Sequence, residues 1–228
     1  MKAAFINAGP LTTGGAQQDA LREVQALLGA DVEAVWLTMC HSSIDGEQLA
    51  EISGCDAWIF AFEIPDDEDV PENLPACLQV LGRFFSFCPH RKTAVYVLAL
   101  DPDGEREKGG QGAIEILRTW CGEATLSWGG GVGLCETALL YGPRALAASM
   151  RRSVRHALEV LAAGIEGKAS IPLADQYAAP DLPRFLRRLM RAGREKATAQ
   201  APAETPKGAE ESGDPRPADR ADKGEGET

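Results

Sequence analysis

Ala57-Trp58-Ile59-Phe60-Ala61-Phe62 is an unbroken apolar run, closed at once by Glu63 and Ile64-Pro65. A run this short, rich in aromatic residues and lacking polar alternation, reads as a strand buried on both faces. Thr93–Leu100 (TAVYVLAL) repeats the pattern. Upstream, Ala3–Asn7 (AAFIN) is a short strand ending at Gly9-Pro10, and Val32–Leu37 is another. Helical spacing fills the gaps between them. Leu21, Val24, Leu27 and Leu28 share a face over Gln17–Leu28, with Gly29 as the expected C-cap. Asp45–Ile52 is a short helix closed by Ser53-Gly54. Leu74–Phe87 and Ala113–Cys121 are helices, and Ala124–Leu134 holds a fifth short strand ending in a glycine-rich turn. Pro143–Ala163 reads as one long helix, with Pro in its first turn and Leu146, Met150, Val154, Ala157 and Leu161 on one face.

Strand and helix thus alternate five times. That order predicts an α/β fold with a doubly wound, five-stranded parallel sheet covered on both faces. Right-handed crossovers leave few topologies, and 2-1-3-4-5 is the expected strand order. No internal repeat is present. The expected domain covers 1–191, ending in a basic amphipathic helix at about 180–191. Leu182, Phe185, Leu186, Leu189 and Met190 form one face of it, and Arg184, Arg187, Arg188 and Arg191 the other. Such a helix suits a membrane surface, an acidic partner, docking on its own domain or a dimer contact. Residues 192–228 contain no aromatic residue and no aliphatic one larger than alanine. Such a segment cannot offset its ordering entropy, so a disordered tail is expected.

The chain has 228 residues, a net charge of −11 and 44% hydrophobic residues, enough for a sizeable core. From Glu23 to Gly82 there are 13 acidic residues and no Lys or Arg. A nucleic-acid binder needs the opposite surface, so no nucleic-acid partner is expected. No apolar run approaches the roughly 18 residues of a membrane span, and the run in MKAAFINAGP is too short for a signal peptide. The six cysteines (Cys40, Cys55, Cys77, Cys88, Cys121 and Cys135) are widely spaced, with no C-x-x-C. Reduced thiols in a cytoplasmic protein are the expectation.

In an open parallel sheet, ligands bind beyond the carboxyl ends of the strands. The loop after the first strand runs Asn7-Ala8-Gly9-Pro10-Leu11-Thr12-Thr13-Gly14-Gly15-Ala16. It offers backbone N–H groups, two hydroxyls and a following helix N-terminus, the parts of a phosphate cradle. It has neither a P-loop lysine nor the G-x-G-x-x-G spacing, which sets aside ATP and Rossmann-type NAD binding. The competing reading is a loop that needs Gly and Thr only to turn and to cap a helix.

NAGPLTTGG followed by a helix resembles the first loop of NADPH-dependent FMN reductase-like proteins, whose pattern is roughly N-G-S-P and then G-N-[ST]. Trp120-Cys121, followed by Leu126-Ser127-Trp128-Gly129-Gly130-Gly131-Val132-Gly133, is similar to the family's entry into its fifth strand. Leu182-Pro183-Arg184-Phe185-Leu186 is similar to its P-R-F segment. The matches span about residues 3–190. The resemblance implies a flavodoxin-like fold and an NAD(P)H-dependent flavin oxidoreductase. FMN would be held at Gly9, Pro10, Thr12, Thr13 and Gly14, and at Phe62, Glu63, Ile64 and Pro65. NAD(P)H would donate electrons, a small molecule or protein would accept them, and a homodimer is compatible.

The chain departs from that pattern at named positions. The serine before the proline is Gly9, and the Asn-[ST] pair is Gly15-Ala16. The P-x-Y loop after the third strand is Phe62-Glu63-Ile64-Pro65-Asp66-Asp67-Glu68-Asp69, with no tyrosine. A cysteine cluster after the second strand is reduced to Cys40. The departures open the alternative of a degenerate flavodoxin-fold protein without flavin, acting as an interaction or regulatory module. The acidic loop would lower the potential of a nearby flavin, or would face solvent or a partner. It lacks the glycine and terminal Glu of an EF-hand loop, so no metal site is expected. No catalytic triad is expected either, since His41-Ser42-Ser43 reads as a polar loop and no G-x-S-x-G elbow exists. A receiver-type acidic pocket is set aside because Asn7 and Phe62 stand at the strand ends where it needs acids. Trp58, Trp120 and Trp128 read as packing residues.

Overall fold

The computed structural model describes residues 1–9, 15–39, 46–65, 70–86, 93–104, 110–142, 146–167, 173–183, 185–190 and 192. The strands are β1 (Lys2–Asn7), β2 (Glu33–Thr38), β3 (Ala57–Glu63), β4 (Ala94–Asp101), β5 (Ser127–Cys135) and β6 (Gln176–Ala178). The helices are α1 (Ala16–Leu28), α2 (Gly46–Ser53), α3 (Asn73–Ser86), α4 (Gln111–Glu123), α5 (Thr137–Leu140) and α6 (Arg152–Ile165). The chain divides into Met1–Leu182, which carries the sheet, and a second unit from Pro183 onward. In that second unit, Phe185 and Leu189 are exposed on the turn of helix over 185–190. The expected disordered tail lies outside the described residues, apart from Ala192.

All strands are parallel, in the order β2-β1-β3-β4-β5-β6. The strand count is therefore six where five were expected. The added strand is three residues long and pairs Gln176–Ala178 with Val132–Leu134. Its anchor is the residue before it: Asp175 accepts a hydrogen bond from Gly131 N at 3.2 Å and pairs with Arg118 of α4. Arg118 also lies over the Trp128 ring, 5.3 Å from its centroid.

The central strands are apolar on both faces because each face has its own core. Trp58, Phe60 and Phe62 point with Ile6 and Val97 toward α3 and α4. Ala57, Ile59 and Ala61 point with Phe5 and Leu98 toward α1 and α6. The period of two thus sends the aromatic β3 residues to one side and the aliphatic ones to the other. Burying a side chain such as Phe60 contributes about 1.5–3 kcal/mol. The buried indoles keep their hydrogen bonds: Trp58 Nε1 donates to Ile52 O and Trp120 Nε1 to Leu78 O, each at 3.0 Å. Burial pushes the Cys55 thiol up to about 11 and the Cys121 thiol up to about 12.

Two further expectations are corrected. The glycines of SWGGGVGLC lie inside β5 and do not end it. A Cβ on Gly129 would stand 2.5 Å from the Tyr96 ring, and one on Gly131 would stand 2.8 Å from Ile114 Cγ2. Side chains from β4 and α4 cross the strand there. The long helix expected from Pro143 begins at Arg152, after a single 3-10 turn at Ala148–Met150; Pro143 itself lies outside the described residues. Its start is set by Asp181, whose carboxylate accepts from Ser153 N at 2.9 Å and also from the Ser153 hydroxyl.

Candidate functional site at the carboxyl edge of the sheet

Three apolar runs each end in one polar residue: Asn7 on β1, Glu63 on β3 and Asp101 on β4. Parallel registration brings these ends to the same edge, since Asn7 pairs with Ala61 and Glu63 with Leu100. The strand order reverses direction at β1, so this edge holds the crevice where doubly wound sheets take ligands.

At β1, Asn7 folds its side chain back, and its Oδ1 accepts from Gly9 N at 3.1 Å. Gly9 is buried, and a Cβ there would stand 2.6 Å from Gln17 Nε2. Gln17 is the second residue of α1 and is 1% exposed. Its amide crosses to β3 and donates to Glu63 Oε2 at 3.2 Å. Gly9 and Glu63, both named from sequence, therefore meet through Gln17. The N-cap of α1 is Gly15, which supplies no side-chain cap. The helix thus opens toward the edge with first-turn N–H groups and positive dipole, a favourable place for a phosphate. Pro10, Thr12, Thr13 and Gly14, the remaining first-loop candidates, lie outside the described residues.

The β3 candidates separate. Phe62 is 0% exposed in the α3/α4 core and presents no ring to a ligand. Ile64 is buried and its N–H donates to Leu100 O at 2.8 Å, so it continues the sheet. Pro65 is exposed, and Glu63 is half-buried. The acidic residues 66–69 lie outside the described residues.

Sequence reasoning singled out no residue on the β4 side. Asp101 is 8% exposed, and its Oδ1 accepts from Asp103 N at 3.1 Å and Gly104 N at 2.7 Å. Its Oδ2 is buried and has no hydrogen-bond partner among the described residues. Gly110 brings α4 against the same edge: at φ +86 its added Cβ would lie 2.5 Å from Ala99 Cβ and 3.0 Å from Ile64 Cδ1. Beside Asp101, Cys135 ends β5, and the chain continues through Glu136 at φ 57 into α5. Thr137 is fully buried, and its hydroxyl has no hydrogen-bond partner among the described residues. The signal that would have found Asp101 is the polar residue closing its apolar run.

Among the described residues, no three His, Cys, Asp or Glu side chains gather as a metal site, and no helix is long and apolar enough to cross a membrane. His156 is exposed on α6, whereas Cys40, His41, Ser42, Ser43 and His90 lie outside the described residues. In its described parts the edge presents the uncapped first turn of α1, which suits an anionic group, with Glu63 tied to that turn through Gln17.

No protein-family model matches the chain, and no curated protein matches it in sequence. Solved structures do match. A mutant of flavodoxin from Pseudomonas aeruginosa is 19% identical, over 73% of this chain and 100% of that one, with a TM-score of 0.50. The flavodoxin, WrbA-like protein from Agrobacterium tumefaciens is 8% identical over 74% and 99%, at 0.49. The Trp repressor binding protein from Bacillus subtilis is 18% identical over 71% and 99%, at 0.48. Together with the strand order, the first of these gives the chain a flavodoxin-like fold.

Proposed function

We propose that this chain is a flavin-dependent oxidoreductase that binds FMN along the carboxyl edge of its sheet and draws electrons from NAD(P)H. The observation that carries the reading is the α1 N-terminus, opening without a side-chain cap from Gly15 onto the crevice beside β1 and β3. First-turn N–H groups and the helix dipole favour an anionic group such as the FMN phosphate. Gly9 stands beside that position, and the ends of β3 at Glu63 and of β4 at Asp101 lie along the same edge. Bound flavin would supply hydride and single-electron chemistry, so the chain needs no nucleophile or triad of its own. Its residues would hold the loops in place: Asn7 fixes Gly9, and Asp101 fixes the turn at Asp103 and Gly104.

The test is direct. Purified chain is incubated with FMN and with riboflavin, and bound flavin is read by visible absorbance after gel filtration. A ligand at a hundred times its Kd adds about 2.7 kcal/mol of stability. For a domain of this size that raises Tm by roughly 5–10 °C. Retained flavin, the rise in Tm and NAD(P)H oxidation by the loaded protein are the expected results. A chain that retains neither flavin ends this reading.

A second reading, an interaction module that keeps the fold without flavin, draws on the closure of the edge by its own side chains. Gly9 N is taken by Asn7, Asp103 N and Gly104 N by Asp101, and a carboxylate is tied to the first turn of α1. The same flavin incubation separates the two.

A further inference from the structure

We propose that the helix over 185–190 of one copy of this chain docks in the groove between α3 and α4 of a second copy, and that the exchange is reciprocal in a twofold dimer. The proposal does not depend on the flavin reading.

The groove has a volume of about 680 Å³, of the size that admits large apolar groups. Pro75 and Leu78 line it from α3, and Ile116 and Trp120 from α4. Ile116 is 42% exposed, so the chain leaves this apolar surface partly in water. Glu115 and Glu123 also line the groove, and among the described residues no Lys or Arg does. Glu115 pairs with Arg118 at 2.7 Å, whereas Glu123 is exposed at the end of α4.

The 185–190 helix carries the complementary features. Phe185 and Leu189 are 69% and 67% exposed. Four residues apart, they lie on one side of the helix, the spacing by which a helix anchors in a groove. Arg188 is exposed with them. Residues 184–196 hold five Arg and one Lys against a single Glu, in a chain whose net charge is −11. One sequence thus presents an apolar groove bordered by carboxylates and an apolar helix bordered by cations.

Reach decides that the two meet between copies. Asp181 is fixed to the start of α6: its N–H donates to Met150 O at 2.8 Å, and its carboxylate accepts from Ser153 N at 2.9 Å. The core under α6 lies on one face of the sheet and the core under α3 and α4 on the other. Helix axes on opposite faces stand roughly 20 Å apart, about a helix diameter on each side. A helix docked on α3 and α4 has its own axis about 8–10 Å from theirs. The four residues from Asp181 to Phe185 span at most about 14 Å when fully extended. They are too short to lay the helix in the groove of its own chain, so a second copy must supply the groove. A twofold axis then gives two identical contacts and leaves no open end.

The experiment is sedimentation equilibrium of the full chain over a range of concentrations. Wild type should reach twice the chain mass. Ile116→Glu places a charge in the groove, and Leu189→Glu places one on the helix. Both side chains are exposed, so neither change disturbs the core, and circular dichroism should be unaltered. The twofold axis repeats each substitution, so either should weaken the dimer about a hundredfold or more. The two variants are then mixed in equal amounts. Each keeps the half that the other has lost, so one of the two contacts re-forms and the mixture should be heavier on average than either variant alone. A wild type that stays monomeric, a dimer that survives both substitutions, or a mixture no heavier than its parts overturns the proposal. Docking of the helix on a different protein or on a lipid surface would leave wild type monomeric, and so counts against it.

Discussion

Replacing Gly110 by alanine tests whether α4 is seated against the ends of β3 and β4. Two separate costs are expected. Gly110 sits at φ +86, ψ 3, where an L side chain is strained by about 1–2 kcal/mol. Its Cβ would also stand 2.5 Å from Ala99 Cβ and 3.0 Å from Ile64 Cδ1, two groups inside a packed layer. Overpacking of this kind costs about 1–3 kcal/mol. The sum is about 2–5 kcal/mol. Gly167→Ala provides the reference: its φ is +69, but nothing lies within 4 Å of its Cβ. It should show only the backbone part, about 1–2 kcal/mol. Both variants make the same Gly→Ala change in the unfolded chain, so that contribution cancels in the comparison. Urea denaturation followed by circular dichroism measures the difference. Gly110→Ala should unfold at a midpoint lower than Gly167→Ala by roughly 0.5–1.5 M. Equal midpoints would refute the close approach of Gly110 to Ala99 and Ile64.

Asp181→Ala removes the distant cap of α6 and should destabilise by about 1 kcal/mol, read from the urea midpoint; a neutral result would deny the cap. The hydrogen bonds from Ser153, hydroxyl first and then amide, hold the Asp181 carboxyl below its usual range. Its contribution is present above the unfolded-state value near 3.9 and should fade as pH falls through the lower folded value. Tyr96, Tyr141 and Tyr177 are the protein's three tyrosines. Burial pushes each phenol up, and Glu23 adds to the effect at Tyr141 against the opposing Arg151. Near-ultraviolet titration of native protein should show all three ionising above the ordinary value of about 10. Stability should decline as pH rises through that window, because the unfolded phenols release their protons first. A native tyrosine ionising at the ordinary value would contradict this.

The central strands were legible in the sequence because burial on both faces leaves an unbroken apolar signature, as in Ala57–Phe62. What stayed hidden depends on residues far apart in the chain. The three residues of β6 carry no hydrophobic run, and Asp175 anchors them through Gly131 and Arg118. The start of α6 is capped by Asp181, 28 positions from Ser153, so no local capping signal marks it. The glycines of β5 have the chemistry of a turn, yet they make room for Tyr96 and Ile114. At the site, Gly9 and Glu63 were visible from sequence. Gln17 was not, because a glutamine in the first turn of a helix is ordinary and only the fold brings it to β3.

The charge pattern of the edge bears on both functional readings at once. Glu63 and Asp101 close their strands, and Glu136 follows β5, so carboxylates stand at three successive strand ends. Asp101 is nine-tenths buried, yet among the described residues it is compensated on one oxygen only, by two backbone N–H groups. A protein that needed only a stable edge would gain by placing neutral acceptors there, since a buried carboxylate is expensive to desolvate. An acidic edge has a use if the ligand changes charge. Carboxylates near a flavin disfavour its anionic reduced form and so lower its reduction potential, which makes the reduced flavin a stronger donor. Neutralising Glu63 should therefore raise the reduction potential of a bound flavin. In a flavin-free interaction module the row would instead act outward, on the charge of a partner, and there would be no such shift to measure.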